Sequence, residues 1–96
     1  MTAIEQIKSR LHEYLPKLKQ KYPIEKLGIF GSATRNDFTD QSDVDILVTF
    51  NGEVGFEFFE LAEELQKVLG RKVDLVSEGA IKPHYWPYIK KDLIYV

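Results

Sequence analysis

Asp43 and Asp45 stand two positions apart at the mouth of a run that reads as a buried strand, Val44-Asp45-Ile46-Leu47-Val48-Thr49-Phe50. Side chains alternate along a strand, so the two carboxylates share one face while Val44, Ile46, Val48 and Phe50 share the other. Same-face neighbours lie about 6–7 Å apart. At an effective dielectric near 20, two like charges at that range repel by about 2–3 kcal/mol. Asp74 repeats the pattern in Val73-Asp74-Leu75-Val76. If the two strands are neighbours, three carboxylates converge, a heavy cost in a domain whose whole stability is about 5–15 kcal/mol. A divalent cation reverses the sign of that interaction. Few carboxylates with open positions suit Mg²⁺, which keeps waters and takes phosphate oxygens.

Taken alone, the Asp43/Asp45 pair and Asp74 are better explained as solvated strand-end residues. Gly31-Ser32 shifts the balance. Glycine lets a ligand approach the backbone closely, and Ser32 is a good N-cap for a helical turn at Ser32–Arg35. Free N–H groups at a helix start receive phosphate oxygens. No Gly-Lys-Ser/Thr follows, so this is not a P-loop. A phosphate cradle beside a carboxylate cluster points to metal-assisted transfer from a nucleoside triphosphate.

The elements that must hold these groups can be read along the chain. Thr2 and Glu5 form a capping box ahead of Ile4, Ile7, Leu11, Leu15 and Leu18, which predicts a helix over residues 3–21. Pro16 predicts a kink or restart near Leu15. Residues 26–30 read as a short buried strand and 43–50 as a second. Phe58, Leu61, Ala62, Leu65, Val68 and Leu69 make one apolar stripe, a helix over about 56–69 that Gly70 ends. Residues 71–77 read as a third strand, 82–91 as a short or irregular helix broken by Pro83 and Pro87, and 93–96 as a last strand. The fold class is therefore α/β (α+β): a small mixed β-sheet of about four strands flanked by helices. The 96 residues fit one domain, 1–96.

Composition excludes several functions. There are no cysteines, which removes disulfides and thiolate zinc sites and fits a reducing cytoplasm. No apolar run is long enough to span a bilayer, and the start of the chain does not read as a signal peptide. The formal net charge of -2 lacks the basic excess of a nucleic-acid binder.

Gly31-Ser32, ten residues, then Asp43-x-Asp45 resembles the signature of the DNA polymerase β-like nucleotidyltransferase superfamily. Residues 32–37 (SATRND) are similar to the G-S-x-A-R-G-[D/E] loop of the minimal nucleotidyltransferases, the MNT family. Residues 69–76 (LGRKVDLV) resemble the block around that family's third carboxylate. The likeness runs over essentially the whole chain. Thr34 stands where the family usually has alanine and Asn36 where it has glycine; Asn tolerates positive φ.

The resemblance implies a nucleotidyltransferase fold that binds ATP with Mg²⁺, with two ions expected. Asp43 and Asp45 would hold both ions, and Asp74 would complete one site and activate the attacking hydroxyl. Gly31 and Ser32 would position the β- and γ-phosphates, and Arg35 would assist. AMP would be transferred and pyrophosphate released. Many such proteins are antitoxins paired with a HEPN-domain toxin, and some attach AMP to a toxin tyrosine. A chain this short has little left to enclose an acceptor, so a second polypeptide is expected to supply it. Competing expectations are a non-catalytic antitoxin that neutralises by binding, and nucleotidyl transfer to a small molecule.

Several other residues keep two readings. Arg35 either reaches a phosphate or pairs with Asp37 or Asp40. The aromatic tail around His84, Tyr85, Trp86 and Tyr88 is either a lid on the core or a partner contact. Glu57, Glu60, Glu63 and Glu64 read as the solvated side of their helix, and His12 as a surface residue.

Overall fold

The computed structural model describes residues 2–35 and 38–96. The capping box forms as expected. The Glu5 backbone N–H donates to Thr2 Oγ1 at 3.3 Å, and the Thr2 N–H donates to Glu5 Oε1 at 3.4 Å. It opens α1 (Ala3–Lys21), which buries Ile7, Leu11 and Leu18. Of the kink or restart expected near Leu15, the restart is absent, and α1 runs through Pro16 as one helix. Pro16 and His12 both lie on the exposed side, where water can replace the donor that proline lacks.

β1 (Ile24–Phe30) starts two residues earlier than the sequence suggests. Ile24 is buried and pairs with Phe50, and a register irregularity between Ile24 and Lys26 absorbs the polar residues that hid it. β2 spans Val44–Phe50 and β3 Val73–Ser77, with α2 (Glu57–Leu69) between them. Gly70 caps α2 in the left-handed region at φ 65°, and its N–H donates to the Gln66 carbonyl at 2.8 Å. After β3 come a short 3₁₀ turn at Glu78–Ala80, the short helix α3 (Trp86–Lys90) and the two-residue β4 (Ile94–Tyr95). Arg71 and Lys72 form the turn before β3 rather than its start, though the Lys72 carbonyl accepts from Val44 N–H at 3.0 Å.

The sheet order is β3-β2-β1-β4. β2 runs parallel to β3 and antiparallel to β1, and β1 is antiparallel to β4. The sheet is therefore mixed. Its core face carries Leu27, Ile29, Val44, Ile46, Val48 and Val73, packed with the stripes of α1 and α2, including Leu11, Leu18, Leu61 and Leu65. Each such side chain contributes about 1.5–3 kcal/mol when fully buried. On the other face Gly28 lies opposite Leu47, and a Cβ at Gly28 would run into Leu93 and Tyr95. The missing side chain admits the C-terminal segment over the sheet. Glu64 departs from the solvated reading: Lys21 Nζ meets its Oε1 at 2.6 Å, tying α1 to α2.

Candidate active site

The parallel pairing of β2 with β3 sets Asp45 directly beside Asp74. Alternation follows the expected pattern: Val44 and Ile46 are fully buried while Asp45 is turned to the opposite face. The Asp45 carboxyl is raised above its ordinary range. Partial burial is the largest cause, followed by the charges of Asp74 and then Asp43, with Arg35 pulling the other way. This is the like-charge conflict anticipated from the sequence, and it centres on Asp45.

Asp43 lies one residue before β2. Its Oδ2 is 3.9 Å from Lys72 Nζ, and both side chains are substantially exposed. Such a pair is worth about 0–1 kcal/mol, so it does not fix the carboxylate. With Asp43 turned to Lys72, no group of three or more acidic or imidazole side chains among the described residues is gathered closely enough to hold a metal ion. The approach to Asp43 is ordered by local bonds. Ser42 N–H donates to the Thr39 carbonyl at 3.0 Å, and Thr39 N–H donates to Ser42 Oγ at 3.2 Å.

Gly31 follows β1 at φ 72° and opens a 3₁₀ turn, Gly31–Thr34. A Cβ built on Gly31 would collide with Asp45 Oδ2. Glycine is thus required twice, for the backbone angle and for the approach to the carboxylate. Ser32 is not the N-cap. It sits second in the turn, after Phe30 at the cap position, and its carbonyl accepts from Arg35 N–H at 3.0 Å. The hydroxyl of Thr34 donates to the Gly31 carbonyl at 2.7 Å, which an alanine could not do.

Arg35 Nη1 meets Asp92 Oδ2 at 3.3 Å. The two pairings weighed for Arg35 fare differently. Asp37 lies outside the described residues, as does Asn36, and Asp40 instead approaches Arg71 Nη2 at 3.6 Å. The Arg71 guanidinium also stacks 4.7 Å from the Phe38 ring centroid, which braces the loop leading to Asp43. Asp92 escaped the sequence reading because it lies 57 residues from Arg35 and carries no local motif. In the tail, Trp86 is partly buried while His84, Tyr85 and Tyr88 are exposed, so one residue of the cluster packs inward and three face out.

With this geometry in place, comparison with known proteins becomes informative. The family described as nucleotidyltransferase domain matches residues 11–96. A candidate protein adenylyltransferase of Methanocaldococcus jannaschii is 48% identical, with both chains covered over 100% of their lengths. The protein adenylyltransferase MntA of Thermococcus cleftensis is 34% identical over 100% of this chain and 98% of its own. A solved structure described as a candidate minimal nucleotidyltransferase superposes with a TM-score of 0.79 at 28% identity, covering 95% of this chain and 93% of the other. The MNT antitoxin fold, solved with tri-AMPylated HEPN toxin of Shewanella oneidensis, gives a TM-score of 0.69 at 20% identity, over 93% of this chain and 70% of that one.

Proposed function

The chain belongs to the nucleotidyltransferase domain family, and from that premise we propose that it transfers AMP from ATP to a tyrosine hydroxyl of a HEPN-type toxin. The observation that carries this reading is the in-register pair of Asp45 and Asp74 on adjacent strands, with Gly31 pressed against Asp45. The relatives named as protein adenylyltransferases support the reaction type. The HEPN toxin in the Shewanella complex, AMPylated and paired with an antitoxin of this fold, suggests the acceptor.

Asp43, Asp45 and Asp74 would hold Mg²⁺, with two ions in the full site. The donor chemistry fits, all oxygen with an excess negative charge expressed in the raised Asp45 carboxyl, but Asp43 would have to turn from Lys72 to join Asp45 and Asp74. When bound, the metal supplies neutralisation of the triphosphate charge. The remaining work falls to the protein's own groups. The backbone at Gly31 and Ser32 cradles the β- and γ-phosphates, with no side chain at Gly31 to block the approach. Arg35 adds a planar cationic fork suited to phosphate. Asp74 accepts the proton of the incoming tyrosine hydroxyl. The tyrosine oxygen then bonds to the α-phosphorus as the bond to pyrophosphate breaks. The use of ATP suits a cytoplasmic setting.

The test is incubation with α-labelled ATP, Mg²⁺ and the product of the neighbouring gene, which this reading expects to be a HEPN-type protein. The reading expects label on a partner tyrosine, and none when Asp43→Asn and Asp45→Asn are combined. Neutralisation of the toxin that survives the double change undiminished would favour simple binding.

A further inference from the structure

Arg10 and Arg71 line one cleft together, where the first turns of α1 meet the end of α2. Its other walls are Ala3, Gln6, Ile7 and Leu69, and its volume is about 140 Å³. About 10–15 Å³ of such space holds one water, so an ion of several heavy atoms fits. None of the lining residues is acidic. Two guanidinium groups on the walls of one cleft repel each other, as the aspartates do, and an anion reverses the sign. The donors are also incompletely used. Arg10 Nη1 donates to the Val68 carbonyl at 2.9 Å, which ties this side chain to the end of α2 and leaves its other nitrogens without a hydrogen-bond acceptor among the described residues. Arg71 Nη1 is buried and has no hydrogen-bond partner among the described residues, and a buried donor left unpaired is costly. Arg71 Nη2 approaches Asp40 at 3.6 Å, but that carboxylate is fully exposed and the pair is weak. Gln6 adds a side-chain amide, and the start of α1 adds the positive end of its dipole. The nearest acidic neighbour on α1, Glu13, lines an adjoining cleft and forms no ion pair with Arg10 among the described residues.

We propose that this cleft binds a small oxyanion of the phosphate class, gripped by the guanidinium groups of Arg10 and Arg71 with the Gln6 amide as a further donor. The planar fork of an arginine matches phosphate oxygens two at a time, and two such forks on one cleft favour a compact, multiply charged ion over chloride. The site has a route to the acidic end of the sheet. Arg71 is the residue that stacks on Phe38 and approaches Asp40, and both belong to the loop leading to Asp43. An ion that fixes Arg71 therefore steadies that loop. The proposal goes beyond the transfer reaction and does not depend on it: a chain that moved no AMP would still bind the ion here.

The experiment titrates inorganic phosphate into the ¹⁵N-labelled full chain at constant ionic strength, without nucleotide or metal, and follows the arginine Nε–H signals and the backbone amides by NMR. Saturable shifts are expected at Arg10, Arg71 and Gln6, and none with chloride. A hydrogen bond to a charged group is strong enough that Arg10→Gln should weaken phosphate binding about tenfold or more. Arg10 also holds the Val68 carbonyl, so a second variant guards against a folding defect. Gln6→Glu alters an exposed helical position and sets a like charge against the ion, and it should abolish saturation while the chain melts as the parent does. Saturable shifts at the two arginines that are lost in Gln6→Glu support the proposal. Shifts that rise linearly, that chloride reproduces, that are confined to Gly31 and Ser32, or that persist unchanged in Gln6→Glu overturn it.

Discussion

The raised Asp45 carboxyl makes a specific statement about pH. A carboxyl whose folded value lies above its unfolded value binds protons more readily when folded. Stability is then lost as pH rises from the ordinary carboxylate range through the raised folded value. Asp45→Asn should remove this liability. The metal-free variant should melt slightly higher than the parent at neutral pH, and the gain should vanish in acid. The same variant should lose AMP transfer. Calorimetric melting across pH checks the first part. Gly31→Ala should do the opposite, because φ 72° and the crowding of Asp45 both oppose a Cβ. A cost of about 1–3 kcal/mol is expected, with ATP binding impaired, by denaturant melting and titration. Thr34→Ala should cost about 0.5–1.5 kcal/mol through the lost bond to the Gly31 carbonyl.

At the scale of elements, most of what positions the site follows from local patterns. The Thr2–Glu5 capping box, the α2 stripe ending at Gly70 and the alternation around Asp45 are short-range signals, and each appears in the fold. What the sequence leaves out needs pairing across the chain. β1 reaches back to Ile24 only because Phe50 is there to pair with it. Ser32 loses the cap position because Gly31 at positive φ begins the turn one residue earlier. The contact of Arg35 with Asp92, and of Asp43 with Lys72, depend on how β3 and the tail return to β2 and β1. Convergence of Asp43, Asp45 and Asp74 was expected if the strands were neighbours; they are, and their parallel register sets Asp45 beside Asp74, while Asp43 turns to Lys72. Gly70 offers a clean test of an element boundary. Nothing lies within 4 Å of a Cβ placed there, so Gly70→Ala should cost about 1 kcal/mol from backbone strain alone, read as a lower denaturation midpoint with unchanged slope.

The molecule as a whole places a shallow acidic site at one end of a mixed sheet and gives it little enclosure. Asp74 is exposed, and Phe56, Phe59, Tyr85 and Tyr88 leave further apolar surface in solvent. A site this open suits an acceptor brought by another protein. On the proposed function, Mg²⁺ would be held weakly in so open a site until a triphosphate completes its shell. ATP with Mg²⁺ at about a hundred times its dissociation constant should therefore stabilise the fold by about 2.7 kcal/mol, while chelator alone should leave melting unchanged. The most direct test follows Mn²⁺ as a paramagnetic stand-in for Mg²⁺, titrated into the chain with a non-hydrolysable ATP analogue. The free-ion signal should fall with the parent chain and should be restored by Asp45→Asn and, separately, by Asp74→Asn, since one residue from each strand is needed. An Asp74→Asn variant that takes up the ion as tightly as the parent would contradict the account.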